Sequence, residues 1–221
     1  MRSRLSVLAR AGCVPAAACP DPDPHPHTNR PVEIPVIRCD LCDEPITLEH
    51  RHLVDVEQRR LLCACRACML LLDSPAAGGG RFRLVPTDRT RLDDFRLDED
   101  TWEHLRIPVQ MVFFFDSTAA GRVVALYPSP AGATESVLAL DAWDELTTAN
   151  PILAELRPDV EALLVSHARG MREHWRVPID DCYELVGIIR SRWRGLSGGE
   201  EVWEAITHFF DDLRTKEETA C

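Results

Sequence analysis

The sequence predicts an α+β protein in which a small treble-clef-like zinc finger is followed by a mainly antiparallel sheet packed with helices. Three observations carry that expectation. Two Cys-x2-Cys pairs, Cys39/Cys42 and Cys65/Cys68, are separated by twenty-two residues, close to the spacing of four-thiolate zinc sites. Downstream of them, apolar runs of strand length are bounded by Gly, Pro and Ser turns. From residue 178 onward, two apolar stripes recur at helical spacing. The expected organisation is a disordered tail over 1–35, a zinc-binding knot over 36–74 and an α+β domain over 81–215.

The tail contains Cys19-Pro20-Asp21-Pro22-Asp23-Pro24-His25-Pro26-His27, a proline spacing that can hold neither a helix nor a sheet ladder. Its first residues are not read as a signal peptide, because Arg10, Gly12 and Pro15 interrupt the apolar run.

In the knot, two residues between cysteines let a tight turn aim both sulfurs at one ion, and a hairpin must return the second pair. Alternating apolar positions on either side of the polar turn 57–60 supply that hairpin, and 69–72 opens a helix with Cys68 near its start. Knuckle, hairpin, knuckle, helix is the order of a treble clef, with a zinc ribbon as the second arrangement. The ligands expected for Zn are Cys39, Cys42, Cys65 and Cys68. Four thiolates leave no coordination position for substrate, so such a site is structural, and its ion supplies about 10 to 16 kcal/mol of folding energy. Cys63, His50 and His52 are within reach to replace a ligand. Cys63 ends a strand whose alternation could turn its sulfur either way. The two histidines share a strand face and read as surface residues or as donors behind a ligand. Disulfides are disfavoured by the paired spacing.

Past a glycine-rich break at 74–80, which lacks the Gly-Lys-Ser/Thr of a phosphate loop, a strand is expected at 81–86. A helix follows at 98–106 with an Asp100/Glu103 capping box around Trp102. Strands at 109–115 and 122–127 flank a 117–121 turn. The segment 128–136 reads as a loop whose Ser129, Thr134, Glu135 and Ser136 could line an enzyme site, though turn chemistry accounts for them without a partner base. A further strand is expected at 137–140, with Asp141 capping a helix that Asn150-Pro151 ends. Strands at 160–165 and 173–177 pair through 167–170. Pro178 starts a helix with Asp180 and Asp181 in its first turn and Cys182, Leu185, Val186, Ile189 and Trp193 on its apolar stripe. Ser197 and Glu200 form a second capping box for the last helix, which carries Val202, Trp203, Ile206, Phe209, Phe210 and Leu213. Leu196-Ser197-Gly198-Gly199-Glu200 resembles the signature loop of ATP-binding-cassette proteins, but no phosphate-loop motif accompanies it.

The net charge of −11 argues against nucleic acid as a partner, since phosphate binding needs clustered cations. No apolar run approaches the roughly 20 residues of a membrane span, and clustered thiols without a targeting segment point to the cytoplasm.

Cys39-Asp40-Leu41-Cys42 with His50-Arg51-His52, the run 61–68, the stretch 121–136 and the segment 177–210 resemble an uncharacterised actinobacterial family encoded with nickel–iron hydrogenase gene clusters. The likeness covers roughly residues 37–214. It implies an accessory or maturation role with a hydrogenase subunit or maturation factor as protein partner, and the four cysteines are the only positions it maps. A metal or redox carrier using the surplus cysteines and an enzyme with its site at 128–136 are the alternatives.

Overall fold

The computed structural model describes residues 36–220 apart from 138 and 196. The expected tail over 1–35 lies outside the described residues. The architecture is a mixture of helices and antiparallel sheet, with the four cysteines gathered at its N-terminal end.

β1 (Ile37–Arg38) and β2 (Pro45–Ile46) pair across the first cysteine turn. β3 (Arg51–Asp55) and β4 (Arg60–Ala64) form the expected hairpin. Its register sets Leu53 opposite Leu62 and Val54 opposite Leu61, so each face of the ribbon carries one apolar cross-strand pair. Arg59 takes up the reversal at φ +52°. α1 (Arg66–Leu72) begins at the second cysteine pair, and Cys65 caps it by accepting the backbone N–H of Cys68 at its sulfur.

The glycine-rich break contains a single helical turn, α2 (Pro75–Gly78). The strand that follows, β5 (Phe82–Leu84), is hydrogen-bonded to β3, giving a three-stranded sheet in the order β4-β3-β5. Arg81 reaches back to the buried Asp55, and Asp73 accepts the N–H of Leu84. Arg83 pairs with the buried Asp159 at 3.1 Å, and Val54 and Leu61 pack into the larger apolar cluster. The knot therefore has apolar and ionic anchors on the body.

The body is built on a six-stranded antiparallel sheet. β6 (Thr90–Arg91) is one edge; α3 (Glu99–His104) follows it in the chain. β7 (Met111–Ser117), β8 (Arg122–Ser129) and β9 (Gly132–Ser136) form a meander, and α4 (Leu140–Ala149) leads to β10 (Glu161–Ser166) and β11 (Glu173–Pro178). The spatial order is β6-β11-β10-β7-β8-β9. α5 (Ile179–Arg192) and α6 (Glu200–Ala220) close the chain.

Helices cover both faces of this sheet, which explains why the central strands read as unbroken apolar runs. Phe113, Phe115, Ala162, Leu164, Trp175 and Val177 share a cluster with Cys182, Leu185 and Ile189 of α5 and with Ile206 and Phe210 of α6. Val112, Phe114, Leu163 and Val165 face the other way, toward Trp102 of α3 and Trp143 and Leu146 of α4. Alternate residues of β7 and β10 thus enter different cores.

Four local expectations are corrected. Residues 132–136 are not loop but strand β9, laddered to β8 from Ala125↔Ser136 to Ser129↔Gly132; the turn works because Gly132 takes φ +120°, open to glycine at little cost. Among the described residues of the expected strand 137–140, Val137 and Ala139 lie in no strand and Val137 is 91% exposed, while α4 starts at Leu140, after Ala139 and not after a capping Asp141. Asp98, not Asp100, caps α3, its carboxylate accepting the N–H of Thr101 at 2.8 Å. The residue preceding α6 is Gly199, at φ +79°, so Ser197 stands outside the cap position.

Charge is buried where sheet and helix meet. Glu161, wholly buried, accepts from Arg157 and Arg176 at 2.8 Å each. Burial alone would raise its carboxyl, but the two guanidinium groups outweigh it and hold the group below its ordinary range. Asp181 in the first turn of α5 takes a two-pronged bond from Arg89, both contacts at 2.7 Å. Arg89→Met should cost about 3 to 5 kcal/mol in urea unfolding, because it strands a buried carboxylate; Arg89→Met with Asp181→Asn should recover part of that loss.

A half-buried pair of histidines lies beside β10 and β11. His167 Nε2 and His174 Nε2 are 3.3 Å apart, with Trp102 against the first ring and Phe95 stacked on the second. Burial, with the neighbouring His167 and Arg172, holds His174 down to about 4, so the folded state keeps it neutral where the unfolded chain takes up a proton. Stability from this group is complete above about pH 6.5, the ordinary histidine value, and is lost as pH falls toward 4. In thermal melts between those limits, His174→Phe should flatten the decline seen in the unmodified chain.

Candidate metal centre

The sulfurs of Cys39, Cys42, Cys65 and Cys68 all lie within 4.8 Å of one another. The first pair is presented by a tight turn in which Asp43, at φ +63°, donates its N–H to Cys39 O at 2.9 Å. The second is presented by the end of β4 and the first turn of α1. Asp40 holds the two halves together: its N–H donates to Cys63 O at 2.9 Å, and its carboxylate accepts Cys63 N–H at 2.7 Å. This backbone clamp was not evident from the sequence, where Asp40 is an unremarked residue between two cysteines.

Cys42 and Cys65 have their sulfurs 3.7 Å apart. An ion coordinated tetrahedrally at 2.3 Å by four sulfurs requires neighbouring sulfurs about 3.8 Å apart, whereas a disulfide would need about 2.05 Å. Cys39, Cys42, Cys63, Cys65, Cys68 and Cys182 are all free thiols. The donor set fits a metal ion, and the expected quartet is the set brought together.

The surroundings also favour thiolate at one corner. Burial pushes the Cys39 thiol up, but backbone N–H groups of Cys65, Leu41 and Cys42 directed at its sulfur bring it down to about 7. Cys68 is pushed up by burial and by the adjacent thiols. A cation among the four sulfurs would supply compensating charge for these crowded thiols.

Cys63 does not join the quartet. It lies directly across the ladder from His52, and its sulfur, one Nε2 or Nδ1 of His50 and one of His52 lie within 4.8 Å of one another as a separate group. His52 contacts Asp180, at the start of α5, with Nδ1 2.9 Å from the carboxylate. His50 and His52 line a cleft of about 750 Å³ between the knot and α5, together with Arg89, Asp180, Asp181 and Lys216. Both histidines are half-buried and grouped with Cys63. Their i, i+2 spacing was the available signal; the side taken by Cys63 and the presence of Asp180 were not readable.

In residues 128–136, the other candidate site, the hydroxyls of Ser129 and Thr134 bond within their own turn. Ser129 donates to Gly132 O at 2.9 Å and lies 3.0 Å from Thr134 Oγ1, while Glu135 pairs with Arg122 at 2.5 Å.

Residues 38–217 match the family of unknown function DUF5947. The chain belongs to that family. The match spans the cysteine quartet, the cleft and α5 with most of α6. No curated protein and no solved structure matches the chain. Among the described residues, no helix of this DUF5947 member is long and apolar enough to cross a membrane.

An ion in a closed thiolate site contributes folding energy to the segment that carries it. Chelation should therefore speed amide hydrogen exchange over 37–72 while β7 and β10 stay protected; unchanged exchange across the knot would mean that the quartet holds no structural ion.

Proposed function

We propose that this DUF5947 protein is a zinc-stabilised cytoplasmic accessory protein acting by protein–protein contacts, in the maturation or assembly of nickel–iron hydrogenase. The knot is read as a treble clef holding Zn through Cys39, Cys42, Cys65 and Cys68. The succession of cysteine turn, hairpin and helix supports this, with the second pair at the helix start. Four sulfurs close the coordination sphere, which suits a structural ion.

One observation carries the protein-contact reading. Among the described residues, the exposed large apolar side chains are Val36, Leu48, Leu70, Leu71 and Val137. Four of those five belong to the knot, and Leu70 and Leu71 stand side by side on α1 at 64% and 60% exposure. A small metal-braced lobe whose helix shows leucines to solvent is suited to docking on another protein. The hydrogenase assignment is supported by the sequence resemblance alone, and the acidic charge of −11 favours a protein over a nucleic acid as partner.

The test is co-expression with the hydrogenase subunits and their maturation factors. The unmodified protein should co-purify with one of them, and Leu70→Asp with Leu71→Asp should reduce recovery at least about tenfold, the equivalent of roughly 1.4 kcal/mol, with zinc content and circular dichroism unchanged. Equal recovery of the variant, or no recovery of either form, would remove the reading.

A further inference from the structure

We infer that His50, His52 and Cys63 form a second metal site, distinct from the four-cysteine quartet, that binds one late first-row divalent ion such as Zn²⁺, Co²⁺ or Ni²⁺ and leaves a coordination position open. The inference concerns this chain's own donors and stands whether or not the protein serves a hydrogenase.

The ring nitrogens are committed in a way that leaves the right atoms free. His50 Nδ1 is 3.0 Å from the carbonyl oxygens of both Thr47 and Leu48. A carbonyl can only accept, so Nδ1 carries the hydrogen and, in the neutral ring, Nε2 is a bare lone pair. That Nε2 is buried and has no hydrogen-bond partner among the described residues. An acceptor left this way costs free energy unless something fills the position. His52 repeats the pattern with a carboxylate: Asp180 accepts from Nδ1 at 2.9 Å, which leaves its Nε2 free. A histidine bonded through one nitrogen to a carbonyl or carboxylate, with the other nitrogen free, is oriented as metal-ligating histidines are.

The hairpin brings the third donor to the same place. His52 and Cys63 are directly opposed across the β3–β4 ladder, so their side chains leave the same face of the ribbon. His50, two residues before His52, lies on that side, and the two rings are 4.8 Å apart. One ring nitrogen of each histidine and the Cys63 sulfur fall within 4.8 Å of one another, a few tenths of an ångström more than one ion at bonding distances of about 2.0 to 2.3 Å spans, so small side-chain rotations bring the three onto it.

Two imidazoles and one thiolate are a borderline-soft set that excludes Mg²⁺ and Ca²⁺ and suits Zn²⁺, Co²⁺ or Ni²⁺. Three protein ligands also leave a fourth position vacant, the feature that separates reactive or exchangeable sites from closed structural ones. Both histidines line the cleft of about 750 Å³, which gives an incoming ligand a route.

The probe is Co²⁺, titrated anaerobically into the full chain after one equivalent of Zn²⁺ has been loaded. One further equivalent should bind, with a thiolate-to-cobalt charge-transfer band. Cys63→Ser should abolish that band, His50→Gln should remove the second equivalent, and Asp180→Asn should weaken it by about 10- to 100-fold as loss of an orienting partner does. In each variant the first Zn²⁺ and the far-ultraviolet circular dichroism should be retained. Failure of the Zn²⁺-loaded chain to take up Co²⁺, or a thiolate band that persists in Cys63→Ser, would overturn the site. Neither result bears on co-purification with a hydrogenase component, so the two readings fail separately.

Discussion

The register of the β3–β4 hairpin is the constraint on which the rest of the molecule depends. With Arg51 opposite Ala64 and His52 opposite Cys63, His52, Val54, Leu61 and Cys63 share one face and Leu53, Leu62 and Ala64 the other. A slip of one residue would exchange the faces of an entire strand. It would turn Cys63 away from the histidines and take Leu61 out of the body's apolar cluster. The clamp between Asp40 and the backbone of Cys63 fixes that register at the cysteine end, and Asp55 fixes the turn end by accepting from Gln58 N–H and from Arg81. Each donor group is thus placed by backbone pairing before any ion contributes.

The body supplies a rigid counterpart. α5 presents two adjacent carboxylates with separate duties: Asp181 turns inward to Arg89, and Asp180 reaches across to His52. Adjacent residues on a helix point about 100° apart, so one turn can serve the core and the cleft at once. The position of α5 is itself set by Cys182, Leu185 and Ile189 against Phe113, Leu164 and Trp175. The histidine in the knot is therefore oriented, through Asp180, by packing in the sheet of the body. A substitution deep in that core could shift the cleft without touching any residue that lines it.

The sequence announced whatever depends on local periodicity. The cysteine pairs, the hairpin, the pairing of β7 with β8 and of β10 with β11, and the stripes of α5 and α6 all follow from spacing, and the structure contains them. Elements decided by partners were not legible. β9 is made of Gly132, Ala133, Thr134, Glu135 and Ser136, of which only Thr134 favours a strand, and the edge of β8 takes them into the ladder. Val137 has the composition of a strand residue, yet the ladder of β8 and β9 ends one residue earlier, at Ser136. For the cysteines, spacing picked out four whose sulfurs the fold brings together. It could not show that Cys63 belongs with His50 and His52, because that depends on the register, nor that residue 180 stands behind residue 52, a contact spanning 128 positions of sequence.

The two donor groups differ in the charge they leave behind, and their surroundings differ to match. A divalent ion among four thiolates is doubly negative overall, and the neighbourhood answers with backbone N–H groups directed at Cys39, the usual means of spreading thiolate charge without a counter-ion. A divalent ion with two neutral imidazoles and one thiolate would be singly positive, and the carboxylate that bonds His52, Asp180, stands beside it, with Glu49 and Glu184 on the same cleft. Of the cations lining the cleft, Arg89 is engaged by Asp181 and Arg51 donates to Val85 O, while Lys216 also faces it. Nearby charge of the right sign favours an ion without adding a ligand, so the environment of each group balances the ion its own donors would hold. The four-sulfur group is closed by its ligand number. The group of His50, His52 and Cys63 is closed only as far as the knot and α5 enclose it.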